Sequence, residues 1–313
     1  MRVAVFGAGG IGGYHGARLA QVGEELSIVA RGEHLKAIQQ KGLRVETPDD
    51  DFVIYPDLAT DDPAEIGEVD TVIVGVKAWQ VPEAAEAIRP MLGPETAVVS
   101  LQNGVDAPNQ LAATLGAKHV VVGISMIRCF IAGPGHLHNT QSPYPNLQLG
   151  EMDHRPSDRV ERLRRLSEQS GLTAIIPDDI HAALWGKFLM FSVASGMGAT
   201  TRTTTGMWRS LPETRQISEA AVREVVALAI ATGIKLPDEP VKSTMDLFDR
   251  MSEGHSTSMA KDLMEGRPSE LEAAIGLVVR LGNDLGVDTP VNRLFHNSLL
   301  LQELEARGSN TGF

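Results

Sequence analysis

One cysteine, Cys129, stands in a chain of 313 residues. That scarcity excludes an intrachain disulfide and a cysteine-based zinc site, and leaves Cys129 as a small apolar residue of an expected strand. No apolar run is long enough to cross a membrane. Basic residues are outnumbered, with 28 Lys and Arg against 40 Asp and Glu and a formal charge of −12. Nucleic acid and anionic membranes are therefore not expected partners, and any basic pocket must be local. Internal repeats, low-complexity tracts and long linkers are also missing. The apolar start of the chain is broken by five glycines within seven positions, Gly7 to Gly13, and no cleavage-like site follows. It is not read as a secretion signal, and a cytoplasmic protein is expected. A hydrophobic content of 42% over this length suits a globular enzyme of about two domains.

The richest stretch lies at the very start. Arg2-Val-Ala-Val-Phe is a short apolar strand that runs directly into Gly7-Ala8-Gly9-Gly10-Ile11-Gly12, a G-x-G-x-x-G turn opening a helix that carries Tyr14, Ala17, Leu19 and Ala20. Gly7 permits a tight turn, Gly9 leaves room for a pyrophosphate, and Gly12 lets the helix pack close to the sheet with its free N–H groups aimed at the phosphates. At the end of the next strand, residues 26–30, dinucleotide folds that prefer NAD place an acid for the ribose hydroxyls. Here that position holds Arg31, followed by Gly32. A guanidinium suits a 2′-phosphate, so NADPH (NADP) is the expected cofactor.

Strand and helix patterns alternate through the first half. After a helix at 34–40, a strand pair is expected at 43–46 and 52–55, then strands at 70–76, 97–101, 120–127, 147–149 and 172–176. The alternation predicts an α/β fold, with a Rossmann domain over residues 1–178 built on a doubly wound, mostly parallel sheet. From 179 to 313 the period is helical throughout, and an all-α domain entered near Ile180 is expected. Leu211-Pro-Glu-Thr, Thr289-Pro290 and the capping box Ser269-Glu-Leu-Glu272 mark three helix starts. The tail from Arg307 to Phe313 is expected to fray.

This architecture predicts a reaction in a cleft between the domains. Four places qualify for it. Lys77 and Asn103 each follow a buried strand, at the edge where a cofactor lies, although a loop-entry Lys or Asn is commonly just solvated. Lys187 is a single cation on an almost wholly apolar helix. It either snorkels to water or faces the cleft, where desolvation would lower its pKa and fit it to protonate an alkoxide. Phe191 and Ser195 follow it on nearly the same helix face. The last place is Ser258-Met-Ala-Lys-Asp262 with Glu270, an acid that the first turn of a helix capped by Ser269 would also explain. His136 and His138 alternate along a strand or hairpin and could offer two metal ligands, but no third is evident and no metal is expected. The apolar helices at 220–231 and 271–281 could complete one core or supply a homodimer face. Trp208 and the run 200–205 read equally as a substrate-edging loop or a plain helix connection.

In this order, Gly7-Ala-Gly-Gly-Ile-Gly12, Arg31, Val76-Lys77, Gln102-Asn103-Gly104, Trp185-x-Lys187, Thr257-Ser258-Met259 with Asp262, Glu270 and Thr289-Pro290-x-Asn292 resemble the ketopantoate reductase (2-dehydropantoate 2-reductase) family over essentially the whole chain. The resemblance implies NADPH-dependent reduction of a 2-keto acid to an (R)-2-hydroxy acid, in the family ketopantoate to pantoate for pantothenate synthesis. It implies that Lys187 is the proton donor and that Glu270 bonds near the nicotinamide ribose and the reacting centre. Asn103 would touch cofactor and substrate, Ser258 would hold the substrate, and Lys77 and Arg31 would serve NADPH. Where the family places substrate-binding asparagines, this chain has Phe191, Ser195 and Thr205. A hydrophobic wall discriminates far less than a site built around a hydroxyl, so a bulkier, more apolar 2-keto acid is the alternative substrate. A hydroxyisobutyrate- or prephenate-type dehydrogenase and a non-catalytic NADPH-binding sensor are further readings. The Ser258 and Glu270 pair counts against the first, and Lys187 with Glu270 against the second.

Overall fold

Val3, Ala4, Val5 and Phe6 are all buried, as a strand covered on both faces requires. The computed structural model describes residues 1–140 and 146–308; of the tail expected to fray, residues 309–313 lie outside them. The chain divides into two compact units, Met1–Gln102 with Asp106–Ile180, and Asn103–Val105 with His181–Phe313.

In the first unit the order is β1 (Arg2–Phe6), α1 (Gly10–Gln21), β2 (Glu25–Val29), α2 (Gly32–Lys41), β3 (Leu43–Glu46), β4 (Asp51–Ile54), β5 (Leu58–Thr60), β6 (Val69–Val74), α3 (Val81–Ala87), β7 (Leu92–Ser100), α4 (Ala107–Leu115), β8 (Val120–Ser125), β9 (Arg128–Gly133), β10 (His136–Thr140), β11 (Leu147–Glu151), α5 (Asp158–Gln169) and β12 (Ala174–Ile175). Eight strands form one sheet in the order β12-β11-β8-β7-β6-β1-β2-β5. Its strands pair parallel except β11, which runs antiparallel to β8. Side-chain alternation divides the core between the faces. Val3, Val5, Ile28, Ile73 and Val99 pack with residues of α1, α2 and α5, whereas Ala4, Phe6, Val72, Val74 and Val98 pack with residues of α3 and α4. This is the doubly wound, mostly parallel Rossmann-like sheet expected.

Two expectations need correction. The strand pair at 43–46 and 52–55 exists, but it belongs to a separate four-stranded sheet, β4-β3-β10-β9. The strand expected at 120–127 stops at Ser125, and the chain leaves the main sheet to form β9, which turns through Pro134 and Gly135 (φ 67°) into β10. The apolar run continues across the break, so hydrophobicity did not mark it.

In the second unit the order is α6 (Ile180–Thr201), α7 (Thr205–Ser210), α8 (Pro212–Ala231), α9 (Pro240–Arg250), α10 (Ser258–Met264), a π turn (Glu272–Gly276), α11 (Leu277–Leu285) and α12 (Pro290–Ala306). Residues 188–199 of α6 are all buried, the pattern of a central helix. No helix among the described residues is long and apolar enough to cross a membrane. Trp208 is core, 2% exposed and edge-on to Phe248. The segment 200–205 is the end of α6 and a short connection to α7.

Helices α8 and α12 begin at the expected prolines, but the caps at Thr289 and Ser269 differ from expectation. Thr289 makes no side-chain cap; Glu224 of α8 accepts from Val291 N at 2.8 Å and Asn292 N at 3.0 Å instead. Asn292 Nδ2 returns bonds to Glu224 and to the Ala221 carbonyl, so the Thr-Pro-x-Asn motif ties α12 to α8. At Ser269 the capping box is half formed. Ser269 Oγ accepts from Leu271 N at 3.2 Å, but Glu272 pairs with Arg280 and His296. The buried Glu303 of α12 takes the Ser269 N–H and hydroxyl, while Arg307 pairs with Glu303 and donates to the Ser269 carbonyl.

Candidate active site

Close packing and open space divide the glycines of the first turn. Gly7 has φ +92°, and a Cβ there would meet Val76 Cγ1 at 2.7 Å. At Gly12 a Cβ would meet the Gly7 carbonyl oxygen at 2.5 Å and Gly75 Cα at 2.9 Å. Gly75, a partner the sequence reading missed, thus closes the turn from β6. A Cβ on Gly9 would find nothing nearer than 3.9 Å, leaving space beside the start of α1. That helix has Gly9 as its N-cap, no side-chain cap bond and no acid in its first turn. Its N–H groups and positive end are therefore available to an anion, and the turn fits a dinucleotide pyrophosphate. Gly10 answers a different need, because a Cβ there would lie 2.0 Å from the Cys129 carbonyl oxygen of β9. Burial pushes the Cys129 thiol up to about 12, so it stays protonated.

His34 braces the same turn. Its Nδ1 accepts from Gly135 N at 3.0 Å, which leaves Nε2–H to donate to the Ala8 carbonyl at 2.9 Å. Burial lowers its pKa, the Ala8 bond opposing. Among the expected cofactor residues, Arg31 is exposed at the start of α2, with its guanidinium 3.5 Å from Glu83 Oε1. Lys77 is partly exposed beside the Trp79 ring, and its N–H donates to Gln80 Oε1 at 3.2 Å. Gln102 pins the end of β6 through its amide, which donates to the Val74 and Val76 carbonyls at 2.8 and 3.1 Å.

The acid–base candidates lie in the second unit. Asn103 clusters there because Gly104, at φ +97°, brings its backbone against the π turn, where a Cβ would meet the Ala273 carbonyl oxygen at 2.8 Å. Asn103 Nδ2 donates to Glu270 Oε2 at 2.9 Å, and Glu270 is 4% exposed. Lys187 of α6 is partly exposed as a residue, yet burial around its ammonium pushes its pKa down to about 8, with the Glu270 charge opposing the shift. A lysine so poised is mostly protonated at neutral pH and gives up its proton far more readily than one in water.

The three positions at which the family resemblance implies asparagine are all buried. Phe191 is buried and apolar. Ser195 Oγ donates to Thr257 Oγ1 at 2.9 Å. Thr205 Oγ1 lies 3.0 Å from His255 Nδ1. Ser258, by contrast, is exposed at the first position of α10, whose N-cap Thr257 accepts from Ala260 N. Thr257 and His255 were not legible as partners, since the bonds span 62 and 50 residues. His136 and His138 both face Glu46, at 3.1 and 3.5 Å. No group of three or more His, Cys, Asp or Glu among the described residues could hold a metal ion.

Residues 3–154 match the family model for ketopantoate reductase PanE/ApbA, and residues 179–303 match that for its C-terminal domain. A 2-dehydropantoate 2-reductase of Mesorhizobium japonicum is 31% identical, covering 93% of this chain and 94% of its own. A PanE/ApbA family ketopantoate reductase from Ralstonia eutropha JMP134 superposes with a TM-score of 0.89 at 30% identity, over 98% of this chain and all of the other (100%). A D-mandelate dehydrogenase solved with NADH and anilino(oxo)acetate shares the fold, with a TM-score of 0.86 at 22% identity over 98% of this chain and 99% of its own. The chain belongs to the ketopantoate reductase family of oxidoreductases.

Proposed function

We propose that the chain reduces 2-dehydropantoate to (R)-pantoate with NADPH, a step of pantothenate synthesis. The observation that carries this reading is the hydrogen bond from Asn103 to the buried Glu270, together with Lys187, whose pKa is pushed down to about 8 against the Glu270 charge. Gly7 to Gly12 and the start of α1 would hold the pyrophosphate, Arg31 the 2′-phosphate, and Lys77 and Asn103 other parts of the cofactor. Bound NADPH supplies the hydride that adds to the carbonyl carbon. Lys187, as ammonium, hydrogen-bonds the keto oxygen and gives it a proton as negative charge develops there, so that ketone, hydride and proton sum to the alcohol. Glu270 favours the protonated lysine and is itself held by Asn103. Ser258, exposed at the head of α10, binds the substrate.

A second reading rests on Phe191, Ser195 and Thr205. One is apolar, and the other two already share hydrogen bonds within the protein, which leaves little to recognise a substrate hydroxyl there. A bulkier, less polar 2-keto acid would suit such a wall. Steady-state rates with NADPH on 2-dehydropantoate and on a panel of larger apolar 2-keto acids separate the two. A higher kcat/KM for 2-dehydropantoate supports the first reading, and a clear lead for a larger acid supports the second. Lys187→Ala is expected to lower turnover by about two to four powers of ten; near-normal turnover in that variant would sink the mechanism. Absence of turnover on every acid would point to a cofactor-binding sensor.

A further inference from the structure

The residue assigned to the cofactor's 2′-phosphate has an acid beside it. Arg31 follows β2, and Glu83 sits in the first turn of α3, which follows β6. Strands β2 and β6 flank β1 in parallel register, so the sheet topology delivers both side chains to the same carboxyl edge. There the guanidinium and the Glu83 carboxylate approach to 3.5 Å. The other acid near Arg31 in sequence, Glu33, is paired with Lys36 at 2.8 Å. Glu83 is thus the carboxylate that the structure sets against Arg31.

We propose that Glu83 is a specificity-determining residue for the cofactor: it competes with a 2′-phosphate for the Arg31 guanidinium and narrows the preference for NADPH over NADH. The inference rests on the NADPH reading given above. A 2′-phosphate carries a charge of about −1.5 to −2 and binds arginine best when both N–H groups of one edge are free. Seating it on Arg31 means displacing Glu83 and holding a phosphate close to that carboxylate. A free 2′-hydroxyl meets no such repulsion. Since both side chains are about 70% exposed, water and salt screen the effect, and it amounts to a few-fold change rather than a switch.

The test is calorimetric titration of the full chain with adenosine 2′,5′-bisphosphate and with ADP, which lacks the 2′-phosphate. Glu83→Gln is expected to tighten the bisphosphate by about three- to ten-fold, with ADP changed less than about two-fold. The gain should shrink at about 0.5 M salt and vanish in an Arg31→Ala background. An equal gain for both ligands, no gain, or a gain that persists without Arg31 would overturn the proposal. Arg31→Ala alone tests the underlying reading. If it weakens the bisphosphate while Glu83→Gln changes nothing, only the role of Glu83 falls. If it alters neither affinity, Arg31 does not read the 2′-position and both inferences fall together.

Discussion

Asn103 and Glu270 stand 167 residues apart and meet through a 2.9 Å hydrogen bond from Nδ2 to Oε2. The bond gives a buried carboxylate a donor, and that carboxylate in turn works against the burial that lowers the Lys187 pKa. Acid, counter-charge and orienting amide therefore form one unit, and disturbing any of them should register at the lysine.

The pH profile reports that coupling. With Lys187 as the proposed proton donor, the rate of keto reduction should hold at neutral pH and fall as pH rises through about 8, where the lysine loses its proton. Glu270 raises that pKa, so Glu270→Gln should move the descending limb to lower pH. A limb that stays in place in the variant would mean that Lys187 is not the titrating acid.

Gly9 and Gly10 are adjacent, yet alanine should have opposite consequences at each. A methyl on Gly9 meets nothing within 3.9 Å and its φ of −68° suits alanine, so stability should change by no more than about 0.5 kcal/mol. On the proposed reading, affinity for NADPH should nevertheless drop, since the methyl would occupy the space assigned above to the pyrophosphate. Gly10→Ala places a methyl 2.0 Å from the Cys129 carbonyl oxygen and should lower the melting temperature by forcing β9 away. Parallel thermal melts and cofactor titrations of the two variants check both.

Two histidines of the first unit should make the fold sensitive to acid. His15 is 2% exposed and lies 3.0 Å from Ser125 Oγ, with its pKa lowered by burial from 6.5 to about 4; the His34 pKa is lowered as well. The unfolded chain binds these protons first, so stability from the neutral rings is complete above 6.5 and declines as pH falls below it, for His15 until about 4. For His15 the loss is on the order of 3 kcal/mol by pH 4. Urea midpoints across this range should flatten in His15→Leu, and an unchanged slope would refute the assignment.

Glu303 closes the turn that precedes Glu270. It is 2% exposed, accepts from the N–H and hydroxyl of Ser269, and pairs with Arg307. Glu303→Ala removes the acceptor from those buried donors and should cost about 2–5 kcal/mol, seen as a shift of the denaturant midpoint. A shift within the noise of a surface substitution would show that water replaces the carboxylate.

Much of the local structure was legible in the chain. The strand, glycine turn and helix at residues 2–21, Arg31 at a strand end, the helix starts at Pro212 and Pro290, and the change from alternating to purely helical pattern at about 180 all follow from backbone geometry and periodicity within a few residues. Partner choice was not legible. Leu43 to Glu46 reads as a strand, but the sequence does not say that it pairs with β10 in a second sheet. Thr289 reads as a cap, while Glu224 performs that task from another helix. Ser195 and Thr205 stand where the family resemblance implies substrate-binding asparagines, but the sequence does not say that Thr257 and His255 lie beside them.

The amino-acid order alone thus established the types of elements, their order and the glycine turn at residues 7–12, because these depend on dihedral preference and on which face of a strand or helix is apolar. Tertiary packing decided which polar groups remain available for chemistry. A hydroxyl, a carboxylate or a guanidinium is satisfied by whatever the fold places within about 3 Å of it, and those neighbours are separated in the chain by tens to hundreds of residues.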